Sequence, residues 1–93
     1  MNKKVVLISK SGYSKKHDGL IERILNSSPE LICVWGKDCE LLEEIIDELA
    51  VGDGTNIRNV TTSVHPNETL NEVLLFAENW QTSNPSSVEQ IEI

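Results

Sequence analysis

Three short polar segments carry the residue types that bind anions in small α/β proteins. Each segment follows an aliphatic or β-branched run, and each precedes a stretch with helical periodicity. Lysine, histidine, hydroxyl groups and the free N–H groups at a helix start all favour negative charge. We therefore predict a site for a phosphate or carboxylate group formed by Lys10, Ser11, Gly12, Tyr13, Ser14, Lys37, Asp38, His65 and Asn67.

In this predicted site, Lys10, Lys37 and His65 supply positive charge, and the backbone N–H groups of residues 11–14 face the same space. A solvated loop surface whose polar residues only cap helices has the same composition. Helix ends of this kind occur on every parallel α/β fold, so both interpretations stay open at the level of sequence.

The segment "VGDGTN", residues 51–56, has the glycines and the aspartate of a ligand loop but the wrong surroundings. A phosphate loop leaves a strand and enters a helix, whereas this segment leaves a helical pattern and enters a strand-like one. A calcium loop needs a glutamate six residues after its glycine, where this chain has Val60. We interpret Gly52 as a helix stop and Asp53-Gly54 as a tight turn.

Neither a metal site nor a catalytic set is evident. Acidic residues of the second helical stretch interleave with its apolar stripe, which indicates a solvated face. These residues are Glu40, Glu43, Glu44, Asp47 and Glu48. The cysteines, Cys33 and Cys39, lack zinc-site spacing and are interpreted as structural thiols. Without a nucleophile, base and orienting group or a cofactor fingerprint, we predict no catalysis, metal or cofactor.

Strand-like and helix-like segments alternate along the chain. Apolar and β-branched runs predict strands near residues 4–9, 31–35 and 58–64. Between them, amphipathic stretches predict helices, with Ser14 or Asp18 at the start of the first and Asp38 as the N-cap of the second. Thr69 and Glu72 fit a capping box at the start of the third helix.

This alternation predicts a small three-layer αβα sandwich, flavodoxin- or Rossmann-like, with three parallel strands in the order 2-1-3. One α/β domain is predicted over residues 1–81. Residues 82–93 are predicted to form a polar linker followed by either a fourth edge strand or an irregular tail.

Charge and composition limit the kinds of partner that we expect for this chain. The 93 residues carry a formal net charge of −7, and five of the eight basic residues precede residue 17. An acidic protein is a poor binder of nucleic acid, and no apolar run is long enough to span a membrane. The short apolar run near the start does not fit a secretion signal. We predict a cytoplasmic protein with reduced cysteines, either a monomer or a homodimer through an exposed sheet edge.

Two segments, "DELAVGDG" and "VTTSVHPNETLNEVLLFAENW", resemble a family of small, functionally uncharacterised bacterial α/β domains. The shared pattern is an acidic helix ending in Gly-Asp-Gly, a strand ending in "TT", a His-Pro and a further helix, over about residues 30–80. The residues matching it are Gly52, Asp53, Gly54, Thr61, Thr62, His65 and Pro66. The resemblance implies a three-layer α/β fold and a bacterial or phage origin. It implies no activity.

Two functional classes remain. The first is a noncatalytic protein-interaction module, whose acidic face binds a partner protein of unknown identity, basic if charge governs the contact. The second is a small anionic-ligand or phospho-group binding domain at the carboxyl ends of the strands. The acidic second helix favours the first class, which we rank first, whereas Lys10, Lys37 and His65 favour the second.

Overall fold

Four parallel strands and three α-helices make up the described part of the fold. The computed structural model describes residues 4–82 and 87–93. In chain order the elements are β1 (Lys4–Ser9), α1 (Asp18–Asn26), β2 (Leu31–Gly36), α2 (Cys39–Val51), β3 (Thr61–Val64), α3 (Leu70–Asn79) and β4 (Val88–Glu92). A 3₁₀ turn, Lys15–His17, precedes α1. The predicted small α/β fold with a parallel sheet is confirmed, and its fourth edge strand is β4.

The sheet is the middle layer, since β1 and β2 are buried and alternate side chains point to opposite faces. Helices α1 and α2 cover one face of the sheet, and α3 covers the other. The first core contains Val5, Leu7, Ile32, Val34 and apolar residues of α1 and α2. The second contains Val6, Ile8, Leu31, Cys33, Val73 and Ala77. A strand with helices on both faces needs apolar side chains at nearly every position, as β1 has.

The observed strand order is β3-β2-β1-β4, so the predicted order 2-1-3 is wrong. Right-handed crossovers through α1 and α2, on the same face, carry the chain onward from β1 to β2 and then to β3. Helix α3 lies on the opposite face, so its crossover reverses direction and brings β4 to the free side of β1. The position predicted for the third strand is therefore occupied by the fourth.

The third strand is shorter than predicted, because residues 57–60 are loop. Arg58 explains the difference. Its backbone N–H donates to the carbonyl of Ala50 at the end of α2, and its guanidinium contacts α1. These bonds hold the segment against the helices, and strand pairing begins only where the Thr61 N–H reaches the carbonyl of Glu30.

Several helix boundaries follow the predicted chemistry. Helix α2 ends at Val51, and Gly52 follows it with a φ of 59°, as the stop signal predicts. The hydroxyl of Thr69 accepts the Glu72 N–H, while the Glu72 carboxylate accepts the Thr69 N–H. Asp38 holds the N-cap position of α2 but makes no side-chain cap bond.

The polar linker predicted after residue 81 lies partly outside the described residues, since residues 83–86 are not among them. In residues 4–82 and 87–93, no helix has the length and apolar character needed to cross a bilayer.

Candidate functional site

The loop after β1 is held by a carboxylate from the loop after β2. The N–H of Tyr13 donates to Asp38 Oδ2 at 3.2 Å. Gly12 lies beneath the same carboxylate, and a Cβ at Gly12 would stand 2.5 Å from Asp38 Oδ2. Asp38 adopts a left-handed conformation, φ 59°, in this arrangement. An internal carboxylate therefore occupies part of the space predicted for an external anion.

The other backbone donors of this loop also have internal acceptors. The N–H groups of Lys10 and Ser11 both donate to the carbonyl of Ile93, at 2.8 and 3.2 Å. The N–H of Ser14 donates to Nδ1 of His17 at 3.2 Å. Together with the Tyr13 bond, four of the five amides from residue 10 to residue 14 are satisfied within the chain.

The observed strand order moves the expected ligand crevice. In an open parallel sheet, the ligand crevice lies at the carboxyl ends of two neighbouring strands whose following connections run to opposite sides of the sheet. Here the chain adds β2 and β3 on one side of β1 and then β4 on the other, so the crevice is expected between β1 and β4. Lys10 lies at this point and its Nζ is 3.4 Å from a Glu92 carboxylate oxygen, with both side chains exposed. The cationic group at the reversal point therefore already has an acidic partner within the protein.

The predicted cationic residues do not form one cluster. His65 follows β3, and β2 lies between β3 and β1, whose end carries Lys10. Lys37 and Asn67 are exposed. The structure therefore brings together the loops after β1 and β2, through Asp38, but it separates Lys10 from His65. Binding of an external anion by these residues stays a prediction.

His65 is the centre of a second polar set. Its side chain is 6% exposed, and Nδ1 is 2.7 Å from Oε1 of Glu68. Its Nε2 is 2.8 Å from the hydroxyl oxygen of Ser63. A carboxylate only accepts, so Nδ1 carries a proton toward Glu68, and in the tautomer with its single proton on Nδ1 the Nε2 atom accepts from the Ser63 hydroxyl. A hydroxyl, an imidazole and a carboxylate are therefore joined in series.

Surrounding aromatic residues hold this set in place. The Phe76 ring meets the His65 ring edge-on, with a centroid distance of 5.0 Å. The indole N–H of Trp35 donates to the backbone carbonyl of Glu68 at 2.7 Å, which fixes the loop that carries the carboxylate.

Sequence analysis included His65 but missed Ser63 and Glu68. The available signal was the spacing Ser-x-His-x-x-Glu at the end of a strand. Residues two apart on a strand share a face, so Ser63 and His65 had to be neighbours. The position of Glu68 depends on the turn through Pro66 and Asn67, which spacing alone does not determine.

A third feature is the acidic α2 surface, defined as Glu40, Glu43, Glu44, Asp47 and Glu48. Four of its five residues are exposed, and Glu43 is partly buried. The ion pairs seen in residues 4–82 and 87–93 do not involve any of them. Burial raises the pKa of Glu43, and the neighbouring charges of Asp47, Glu44 and Glu40 raise that pKa further. The carboxylates thus repel each other.

An open cavity of about 500 Å³ lies beside the first turn of α2. Its apolar wall includes Leu41 and Pro66, and its polar wall includes Asp38, Glu40 and Glu44. Leu41 is 45% exposed, which is unusual for a large aliphatic side chain within a helix. This cavity offers apolar surface and negative charge side by side.

Comparison with known families identifies one match that covers nearly the whole chain. Residues 1–92 match the family described as a domain of unknown function, DUF7684. The chain belongs to that family. Membership in the DUF7684 family confirms the expected relationship to uncharacterised small domains, and it assigns no activity. No curated protein and no solved structure matches the chain significantly.

Proposed function

We propose that the chain is a protein-interaction domain of a bacterial or phage cytoplasm, and that its acidic α2 surface binds a basic partner protein. The observation that supports this function is the concentration of five carboxylates on one helix, none of which forms an ion pair in the described ranges. Binding at this surface requires no chemical step.

Electrostatic relief drives the proposed association. The raised pKa of Glu43 reflects burial and the repulsion of its acidic neighbours. A cationic surface placed over α2 attracts these carboxylates. It also offsets their mutual repulsion, which destabilises the free domain. Complementary charge also accelerates the encounter of the two proteins.

The cavity beside α2 suits a lysine or arginine side chain of the partner. The aliphatic stem of such a side chain packs on Leu41 and Pro66, and its charge lies near Glu40 and Glu44. Nucleic acid and anionic membranes carry the same charge sign as this surface, so we do not include them among its partners.

The same charges favour a monomer at the β3 edge. Helix α2 packs on β3, and the Thr62 hydroxyl of β3 donates to the Asp47 carboxylate. A two-fold pairing of two β3 edges would bring two acidic helices together, and like charges destabilise such a contact.

Binding by matched variants tests the proposal. A tagged wild-type chain captures partners from the native lysate, and the recovered protein is then titrated by calorimetry. Glu44→Gln combined with Glu48→Gln should weaken binding by about tenfold, the scale of two surface charge pairs. The control, Glu78→Gln combined with Glu92→Gln, removes the same charge from exposed positions elsewhere. A partner that binds both double variants equally well would refute the role of α2.

Anion binding at the strand ends has less support. Most backbone donors of the loop after β1 already have acceptors, and Lys10 faces Glu92.

A further inference from the structure

We propose that Ser63 is a reactive nucleophile, with His65 as its general base and Glu68 as the residue that positions His65. In this proposal, Ser63 accepts the acyl group from an ester of an aromatic or aliphatic carboxylic acid. This inference goes beyond the proposed interaction and uses a different face of the molecule.

Geometry is the first support. The Ser63 hydroxyl lies 2.8 Å from Nε2 of His65, within reach for proton transfer. On the other side of the ring, Nδ1 lies 2.7 Å from Glu68. A serine is a weak nucleophile unless a base takes its proton, and a carboxylate on the far nitrogen fixes the required tautomer.

Access is the second support. Ser63 pairs in register with Cys33, whose side chain lies in the core under α3, so Ser63 points to that same face of the sheet. Helix α3 packs on β1, β2 and β4, and the edge strand β3 lies beside it. Ser63 is accordingly partly exposed, while His65 behind it is buried. A buried base thus lies beside the hydroxyl of a partly exposed serine.

The acyl preference follows from the neighbouring aromatic residues. Phe76 contacts His65 and is 41% exposed, although most of a large aromatic side chain is normally covered. Trp35, near the end of β2, donates to the Glu68 carbonyl and is partly exposed. Apolar surface next to the hydroxyl favours an apolar acyl chain or ring over a charged one.

The proposed step balances without a cofactor. Ser63 Oγ attacks the carbonyl carbon of the ester, and its proton moves to Nε2 of His65. The bond from that carbon to the leaving oxygen then breaks, and His65 returns the proton to the alcohol that leaves. The product is an ester on Ser63, which water cleaves by the same sequence, giving the free acid and the original serine.

The neighbouring thiol does not compete for this role. Cys33 is completely buried, and burial raises the pKa of its thiol, an effect that the Ser63 side chain partly offsets. A buried neutral thiol is a poor nucleophile.

The test uses p-nitrophenyl acetate with the full chain. We expect a burst of p-nitrophenolate of about one equivalent, the signature of an accumulating acyl-protein. Peptide mapping should place the acetyl group on Ser63. Ser63→Ala should remove the burst, whereas Ser11→Ala, at an exposed serine in the loop after β1, should retain it. No burst in the wild type, or an equal burst in Ser63→Ala, overturns the proposal.

Two further variants test whether His65 and Glu68 activate the Ser63 hydroxyl, or whether Ser63 reacts only because it is exposed. His65→Gln should slow the burst by about 100-fold, the lower range of a general-base contribution. Circular dichroism verifies its fold, and an equal rate in folded His65→Gln overturns the role of the base. Glu68→Gln should slow the burst about tenfold and alter the His65 tautomer seen by ¹⁵N NMR. An unchanged tautomer and an unchanged rate would show that Glu68 does not position the ring.

Discussion

At the scale of single residues, Glu43 shows that the acidic α2 surface opposes folding. Its pKa is raised, first by burial and then by three acidic neighbours, so the folded state holds this proton more tightly than the unfolded chain does. Ionised Glu43 therefore destabilises the fold at neutral pH. That destabilisation disappears as pH falls through the raised pKa toward the ordinary value of 4.5.

Glu43→Gln should consequently raise the free energy of unfolding by about 0.5–1 kcal/mol at pH 7, the size of two or three like-charge pairs on a helix. Urea titrations between pH 7 and pH 4 measure the change, and the gain should shrink as pH falls. Glu78→Gln, at an exposed position on α3, serves as the control and should change stability by less than about 0.5 kcal/mol. A gain that stayed constant with pH would point to packing rather than charge.

Gly36 is a second residue whose identity is constrained by its surroundings. It ends β2 with a φ of 106°, and a Cβ there would stand 2.2 Å from the carbonyl oxygen of Ser9. Only glycine allows the two strands to approach this closely while the chain turns toward α2.

Gly36→Ala should therefore lower the free energy of unfolding by about 3 kcal/mol, combining backbone strain with a steric overlap. Gly19→Ala is the matched control, since Gly19 lies in α1 and a methyl group added there would have no neighbouring atom within 4 Å. Alanine at Gly19 should stabilise by up to about 1 kcal/mol because it favours helix. Thermal unfolding of both variants decides the comparison, and a tolerated Gly36→Ala would contradict the close approach.

At the scale of elements, Arg58 connects α1 to α2. Its Nη1 donates to Glu22 and Asn26, both at 2.7 Å, and its Nη2 donates to Glu22 and to the carbonyl of Leu49. The last turn of α2 contains no basic residue, so Arg58 supplies the positive charge that the carbonyl end of a helix favours.

Arg58→Lys should lower the melting temperature by roughly 5 °C, because a lysine ammonium cannot reproduce the planar fork. The hydrogen bond from Arg58 lowers the pKa of Glu22. Stabilisation by this pair is therefore complete above the ordinary Glu22 pKa of 4.5 and is lost as pH falls through the lowered value. A double-mutant cycle with Arg58→Lys and Glu22→Gln measures the coupling, which should vanish in acid. Coupling that is independent of pH would exclude the ion pair as its source.

The elements were predictable from the sequence where local chemistry decides them. Periodicity located the helices and the buried strands, and the Thr69–Glu72 box and Gly52 marked two helix ends. Strand order was not predictable in the same way, because it depends on which sheet face α3 covers. The contacts of the candidate anion site were unpredictable for a related reason. Its residues were placed by an assumed order, and the Asp38 carboxylate that fills its loop is visible only in three dimensions.

At the scale of the whole molecule, the two proposed surfaces lie on different sides of the sheet. The acidic surface is on α2, whereas Ser63 points to the side that α3 covers. Glu44→Gln combined with Glu48→Gln should therefore leave the p-nitrophenolate burst unchanged, while Ser63→Ala should leave partner affinity unchanged. Stopped-flow kinetics and calorimetry test the two expectations. A loss of both activities in either variant would show that the surfaces are coupled.

The pairing of β1 with β4 joins opposite ends of the described chain, since Val5 lies in register with Glu89. Such long-range contacts slow folding, so β1 and β2, linked through α1, can pair before β4 arrives. During that interval one edge of the apolar strand β1 is bare, and bare apolar strands recruit other chains. Ile91→Lys, which removes an apolar contact of β4, should increase light scattering during refolding from urea. Leu75→Lys, at an exposed position on α3, should not. We therefore expect β4 to protect the folding chain from aggregation.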